Sequence, residues 1–261
     1  MEAEDTVTVE RHADDRMIRG QGTTEAQWTQ WPGLYQLNAI AIDDLVPDGC
    51  RAVVVAPHPD DEVLSVGGLL ARRARDGLPV SVIAVTDGTA SHRDSTEWPV
   101  ERLVRERPSE SRLALHCLGV DIEPVRLGLP DGGLQGLEWL LAERLLPLLD
   151  RRDVVFTTWR RDGHPDHEAT GHACAFAAAR TGARLVEVPV WAWHWAQPGD
   201  ARLPWSRARR FPLDAEVVHR KRCAVQAFRS QLQPDASTGR GPILRDTTVA
   251  RASRPYEVMF L

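Results

Sequence analysis

Ala52-Val53-Val54-Val55-Ala56, followed after Pro57 by His58-Pro59-Asp60-Asp61-Glu62, decides the architecture of this chain. The apolar, β-branched run reads as a buried strand, the prolines and acids as a loop, and Val63 to Arg75 as a helix stopped at Gly77. Loops at the carboxyl ends of parallel strands are where open α/β sheets hold their ligands. This loop carries one imidazole and three carboxylates within residues 58–62. His and Asp together suit zinc or ferrous iron, and a spare carboxylate beside the metal can act as a base. Acids at a helix start also cap it and oppose its dipole, so this stretch alone leaves both readings open.

Asp162-Gly163-His164-Pro165-Asp166-His167-Glu168 repeats the pattern. It follows the strand-like run Asp153 to Thr158 and opens an alanine-rich helix, Ala169 to Arg180, with no interior proline. His164 and His167, three residues apart, can face the same way across one helical turn. One such junction is commonly a capped, solvated loop. A second strand, His-Pro-Asp and helix in the same chain is hard to explain by capping alone. On neighbouring parallel strands the loops would meet and supply a facial His–Asp–His set with open coordination positions.

In this order and on these elements, HPDDE and HPDH resemble the PIG-L or LmbE-like zinc-dependent de-N-acetylases, over residues 50–235. Thr86-Asp87-Gly88, Arg107 three before Glu110, Leu118-Gly119-Val120, Pro130-Asp131-Gly132-Gly133-Leu134, and Lys221, Ala224, Ser230 and Gln231 fit the same pattern. Phe228 departs from it, standing where many members carry His. The resemblance implies that His58, Asp61 and His167 hold zinc and that Asp60 is the general base. It implies that His164, protonated, stabilises the oxyanion and gives a proton to the leaving amine. Arg107 and Asp131 would contact substrate hydroxyls or a phosphate-like group. Glu62 and Asp166 would orient the ligand histidines through their free ring N–H. Glu110 is left between an ordinary helix carboxylate and a functional one. The residue types answer a chemical need. An acetamide is a poor electrophile, and three protein ligands leave zinc a position for a water of lowered pKa. Asp60 adjoins Asp61 and can reach that water without binding the metal.

The 261 residues, 43% of them apolar, suffice for one large α/β domain. A net charge of −5 gives no basic surface for nucleic acid, and the arginine runs are interspersed with acids. Cys50, Cys117, Cys174 and Cys223 are widely spaced, without a C-x-x-C pair, which fits a reducing compartment and no disulfide framework. The acidic start lacks an apolar signal core and no run approaches the ~20 residues that span a bilayer, so a cytoplasmic protein is expected. Homo-oligomerisation is left open.

Residues 1–33 read as a polar, loosely ordered arm that Trp28 and Trp31 could dock, and 34–261 as a single domain. Leu34 to Ile42 is expected as an extra strand, and Val80 to Thr86, Pro124 to Leu129 and Val154 to Thr158 as further strands separated by helices. That alternation predicts an α/β fold: a Rossmann-like, mostly parallel sheet with helices on both faces and the active site at the carboxyl ends of its strands. Gly67-Gly68 and Gly132-Gly133 make no G-x-G-x-x-G fingerprint, which argues against a nicotinamide cofactor. In Val188 to Trp195 the β-branched start suggests a strand with Trp191, Trp193 and Trp195 on one face. They would pack a core or stack on a sugar, with His194 opposite, facing the cleft and its substrate.

The expected function is a metal-dependent hydrolase, with Zn2+ or alternatively Fe2+, that removes an N-acetyl or N-acyl group from an amino sugar or glycoconjugate. Two alternatives remain: a non-catalytic carbohydrate-binding α/β module, and a hydrolase of another sugar-conjugate amide. The intact His58, Asp60, Asp61, His164 and His167 favour an enzyme.

Overall fold

The computed structural model describes residues 16–261. Three short helices, α1 (Glu25–Gln30), α2 (Pro32–Gln36) and α3 (Ile42–Leu45), lead into β1 (Arg51–Ala56), α4 (Asp61–Arg75) and β2 (Val80–Thr86). Then follow α5 (Val100–Cys117), β3 (Val125–Leu129), α6 (Glu138–Leu145), β4 (Asp153–Thr158), α7 (Pro165–Thr181) and β5 (Arg184–Val188). The chain ends with α8 (Ala192–Trp195), β6 (Ala208–Pro212), α9 (Ala215–Val225), α10 (Arg229–Leu232), α11 (Asp246–Ala252) and β7 (Tyr256–Phe260). The seven strands form one sheet in the order β3-β2-β1-β4-β5-β7-β6. β1 to β5 are parallel, while β7 runs antiparallel to β5 and β6.

Strand alternation splits the core. Ala52 and Val54 of β1 pack with α4 and α9 residues such as Leu69 and Val217, whereas Val53 and Val55 face Leu141 and Ala173 of α6 and α7. A strand buried on both faces is continuously apolar, which is why β1 reads as an unbroken hydrophobic run. From β1 the chain winds outward through β2 and β3 and then returns to β4 on the other side of β1. The order therefore reverses between β1 and β4, whose pairing ends at Val55 and Thr157. Crevices at such reversals are where doubly wound sheets bind ligands. Both His-Pro-Asp loops leave these two strands.

Two expected strands are absent. Leu34 to Ile42 is α2, a connector and the start of α3, with one isolated bridge from Ala39 to Arg210. Pro32 at the start of α2 fixes a helical φ, which starts a helical turn rather than a strand. The segment at Trp191–Trp195 is a helical turn, not a strand, for a reason that lies in the site itself. The arm expected over 1–33 is docked from residue 16 onward, and its first fifteen residues lie outside those described. Trp28 is fully buried among Trp193, Trp31 and Trp205, with its Nε1–H donating to Trp193 O at 2.9 Å. No described helix is long and apolar enough to cross a membrane.

Candidate active site

The β1–α4 junction delivers His58, Asp60 and, at the start of α4, Asp61, and the β4–α7 junction delivers Asp162, His164 and, in the first turn of α7, His167. Asp61 opens α4, and its Oδ2 lies 3.2 Å from His58 Nδ1 and 3.2 Å from His167 Nε2. The three residues form one group whose possible ligand atoms all fall within 4.8 Å of one another. The opposite ring nitrogens are spoken for. His167 Nδ1 donates to Asp162 Oδ2 at 2.8 Å, and His58 Nε2 lies 3.1 Å from both Asp131 Oδ1 and Asp166 Oδ2. Carboxylates on those nitrogens hold ring protons there, so His58 Nδ1 and His167 Nε2 are the nitrogens turned towards a common point beside Asp61. His167 is fully buried and its Nε2 makes no hydrogen bond among the described residues. A buried imidazole nitrogen turned towards a carboxylate without a hydrogen bond of its own is a donor suited to a divalent cation, and this donor set fits zinc or ferrous iron.

His58, His164 and Asp166 make a second geometric group, but its donors are engaged. Asp166 accepts from Gly132 N (2.7 Å) and Leu134 N (3.1 Å), and His164 Nδ1 accepts from Asp166 N at 3.2 Å. His164 is thus the N-cap of α7, with Nε2 left to carry the ring proton. Burial, reinforced by His167 and His58, pulls His164 down to about 3. With Nδ1 accepting from Asp166 N, the ring donates through Nε2.

Asp60 sits at φ 137°, a backbone angle that a non-glycine residue adopts only when its surroundings impose it. Two contacts do so: Asp60 N donates to Glu62 Oε2 at 3.0 Å, and Arg107 Nη2 reaches Asp60 Oδ2 at 3.3 Å. Burial, against the opposing charge of Arg107, pushes the Asp60 carboxyl up to about 8. Burial also works to raise Asp61, but His167 and His58 outweigh it and hold Asp61 well below the usual carboxylate range. His167, despite burial, is carried up to about 9 by Asp61 and Asp162.

Arg107 reaches the cleft wall, yet its guanidinium donates to Gly88 O and Pro59 O, each at 2.7 Å, as well as to Asp60. It braces the two loops that flank the cleft rather than presenting a free fork to substrate. Gly88, at φ +67°, permits that approach, since a Cβ there would lie 1.9 Å from Arg107 Nη1. Asp131 lines the cleft but also accepts from Ala90 N at 2.6 Å and faces His58. Burial opposes its ionisation, but His58 brings it down to about 2. Glu62 holds Asp60 N and Ser111, not a histidine, so of the two carboxylates expected beside the histidines only Asp166 touches one, His58. Glu110 is buried and accepts from Ser230 N (2.7 Å) and Oγ (2.6 Å), which sets the neighbouring Gln231 into the cleft wall. Phe228 is fully buried in the main core.

His194 does not face the cleft. Its Nε2 lies 3.0 Å from Arg19 O and its carbonyl accepts from Thr23 N at 2.9 Å, so it fastens the N-terminal arm. The cause is Asp162, which accepts from Val190, Trp191 and Ala192 N, each at 2.9 Å, and curls that segment into α8. Of the three tryptophans only Trp191 lines the cleft, near-parallel to His164 at 6.5 Å, while Trp193 and Trp195 join the buried tryptophan cluster. Sequence reasoning gave Asp162 no role, although it stands five residues before His167 in the same motif. Ile18, from the arm, was missed too. With Trp191, Ile243 and Leu244 it forms the apolar lip of a cleft of about 440 Å³ whose floor is His58, Asp60, Asp61 and His167.

The family model for PIG-L, GlcNAc-PI de-N-acetylase, matches residues 53–178. A 1D-myo-inositol 2-acetamido-2-deoxy-alpha-D-glucopyranoside deacetylase of Corynebacterium urealyticum is 32% identical, over 76% of this chain and 76% of that protein. A Rhodococcus jostii protein of the same name is 32% identical over 45% of this chain, and the match spans about half of that relative's length (49%). Among solved structures, a deacetylase of the teicoplanin biosynthesis pathway aligns with TM-score 0.64 and 21% identity, over 80% of this chain and 96% of that one, and shares the fold.

Proposed function

The chain belongs to the PIG-L family, and from that premise we propose that it is a metal-dependent amide hydrolase removing an N-acetyl group from an N-acetylglucosamine conjugate. The observation that carries this reading is the convergence of His58 Nδ1, Asp61 Oδ2 and the buried His167 Nε2 beside the strained Asp60. His58, Asp61 and His167 would hold zinc or ferrous iron. Such an ion supplies Lewis acidity to the amide carbonyl and to the attacking water.

Asp60 takes the proton from that water as its oxygen adds to the carbonyl carbon. Its raised carboxyl pKa matches a base working near neutral pH, and Arg107 fixes which oxygen faces the cleft. The charge that develops on the carbonyl oxygen needs a donor on the far side, and the neutral His164 offers Nε2–H. When the C–N bond breaks, a proton passes to the departing nitrogen, leaving acetate and a free amine. Trp191 and the apolar lip offer a face for the sugar ring, and Gln231 offers a polar edge. The names of the Corynebacterium and Rhodococcus relatives support N-acetylglucosamine joined to inositol as a first substrate to try.

The test is amine release from N-acetylglucosamine conjugates, the inositol conjugate included, by protein reconstituted with zinc or with ferrous iron, together with elemental analysis. One ion per chain in the wild type and its loss in His167→Ala are expected. Full metal retention by His167→Ala rejects the ligand set, and a fully loaded protein that releases no amine from any conjugate rejects the activity.

A further inference from the structure

Behind the cleft lies a second, smaller cavity of about 40 Å³, which shares Leu64, Val190 and Thr248 with the cleft as common walls. Its other lining includes Lys221, Arg251, Arg254, Tyr256 and Glu257. Three cations meet two carboxylates here. Lys221 is paired with Glu257 at 2.6 Å, and Arg254 grips Glu25 with two bonds of 2.7 Å. Glu257 is further engaged by Gly68 N and Leu69 N, freed where α4 breaks at Val66.

Arg251 has no carboxylate of its own among the described residues. It is 8% exposed, donates through Nη2 to Thr23 O at 3.1 Å, and its Nε has no partner. Burial and the neighbouring Arg254 bring its pKa down to about 10, against a weaker upward pull from Glu25, which is itself bonded to Arg254. Two further buried donors in the lining, Thr248 Oγ1 and Tyr256 OH, also lack partners. A buried cation with no carboxylate bonded to it is stabilised by a counter-ion placed against it. On the same measure a water needs ~10–15 Å³, so the space suits a few waters or one small ion and excludes a sugar or a nucleotide.

We propose that this cavity binds one small monovalent anion, a halide or a carboxylate no larger than acetate, on Arg251 with the hydroxyls of Tyr256 and Thr248 completing its shell. Because Arg251 also holds Thr23 of the N-terminal arm, the anion steadies the arm that carries Ile18 into the cleft. Two sources share this chemistry: halide from the medium, and the acetate released across the common wall. Only the acetate source rests on the deacetylase reading.

The experiment is calorimetric titration of chloride-free protein with sodium bromide, combined with anomalous scattering from bromide-soaked crystals. Saturable binding at one site per chain, with the bromide peak beside Arg251, is expected. Arg251→Met should abolish it. Tyr256→Phe, which removes only a hydroxyl, should weaken it about tenfold or more, the worth of one hydrogen bond to a charged partner. No saturable binding to the wild type, a peak elsewhere, or wild-type affinity in Tyr256→Phe overturns the proposal. Where bromide is bound, its displacement by lower concentrations of acetate identifies the product as occupant. Bromide that resists acetate identifies halide, and either result upholds the site.

Discussion

Replacing Asp162 by Asn tests the part of the site that the motifs did not reveal. The carboxylate accepts four hydrogen bonds: Val190 N and Ala192 N on Oδ1, and Trp191 N and His167 Nδ1 on Oδ2. Asparagine keeps the shape but has one acceptor oxygen, so two donors must face its NH2 group. With the oxygen towards His167, Val190 and Ala192 lose their acceptor and the α8 turn loosens. With the oxygen towards those amides, the NH2 group faces His167 Nδ1, drives the ring proton to Nε2 and spoils the lone pair aimed at the metal. Either way two bonds to a charged acceptor go, at ~1.5–3 kcal/mol each, or ~3–6 kcal/mol in all. For a chain of this size that lowers Tm by on the order of 10 °C. Loss of a carboxylate partner on a ligand histidine typically weakens metal binding ~10- to 100-fold. Chelator competition read by elemental analysis, alongside thermal melts, measures both. Wild-type metal affinity together with an unchanged melt would refute the argument that Asp162 joins the ligand to the cleft wall.

Other substitutions separate the remaining roles. Asp60→Asn should keep its metal and lose ~10²- to 10⁴-fold in kcat, the usual cost of a missing general base, so near-wild-type turnover would remove Asp60 from the chemistry. Asp131→Ala should slow a N-acetylglucosamine conjugate and a simple acetanilide by similar factors, because Asp131 holds His58; a loss confined to the sugar substrate would return it to substrate binding. His194→Ala should leave metal content unchanged while limited proteolysis after Arg19 accelerates, and an unchanged cleavage rate would show that the arm is held elsewhere. Glu187 sets an acid limit. Burial alone would raise its pKa, but bonds from Arg160 and the charge of Arg207 hold it below its ordinary value, so its stabilisation is present above the unfolded carboxyl pKa and is lost as pH falls through the folded one. Glu187→Gln should therefore melt lower than wild type at neutral pH and show less further loss on acidification, and parallel Tm curves for the two proteins would contradict this.

What the sequence revealed and what it hid divide along the range of the interactions involved. β1, β4 and the two His-Pro-Asp loops were legible because each is a local signal: an unbroken apolar run requires burial on both faces, and ligands cluster within a few residues. The meeting of His58 with His167 was legible because two like junctions in a parallel sheet need only neighbouring strands. Asp162 was hidden because its backbone partners, Val190 to Ala192, lie 28 to 30 residues downstream and carry no side-chain signature. The same contact explains the misread tryptophans. Residues spaced two apart over five positions fit a strand or a single helical turn equally, and a distant carboxylate collecting three successive amides selects the turn. His194 then faces the arm instead of the cleft, and Trp191 alone remains as a wall. Asp162 thus bonds at once to His167, the proposed metal ligand, and to the backbone at Trp191, so one side chain sets both the tautomer of that ring and the position of the cleft wall proposed to stack on a sugar. A change in that wall should be felt at the metal, which is why metal affinity, rather than turnover alone, is the measurement that reads the coupling.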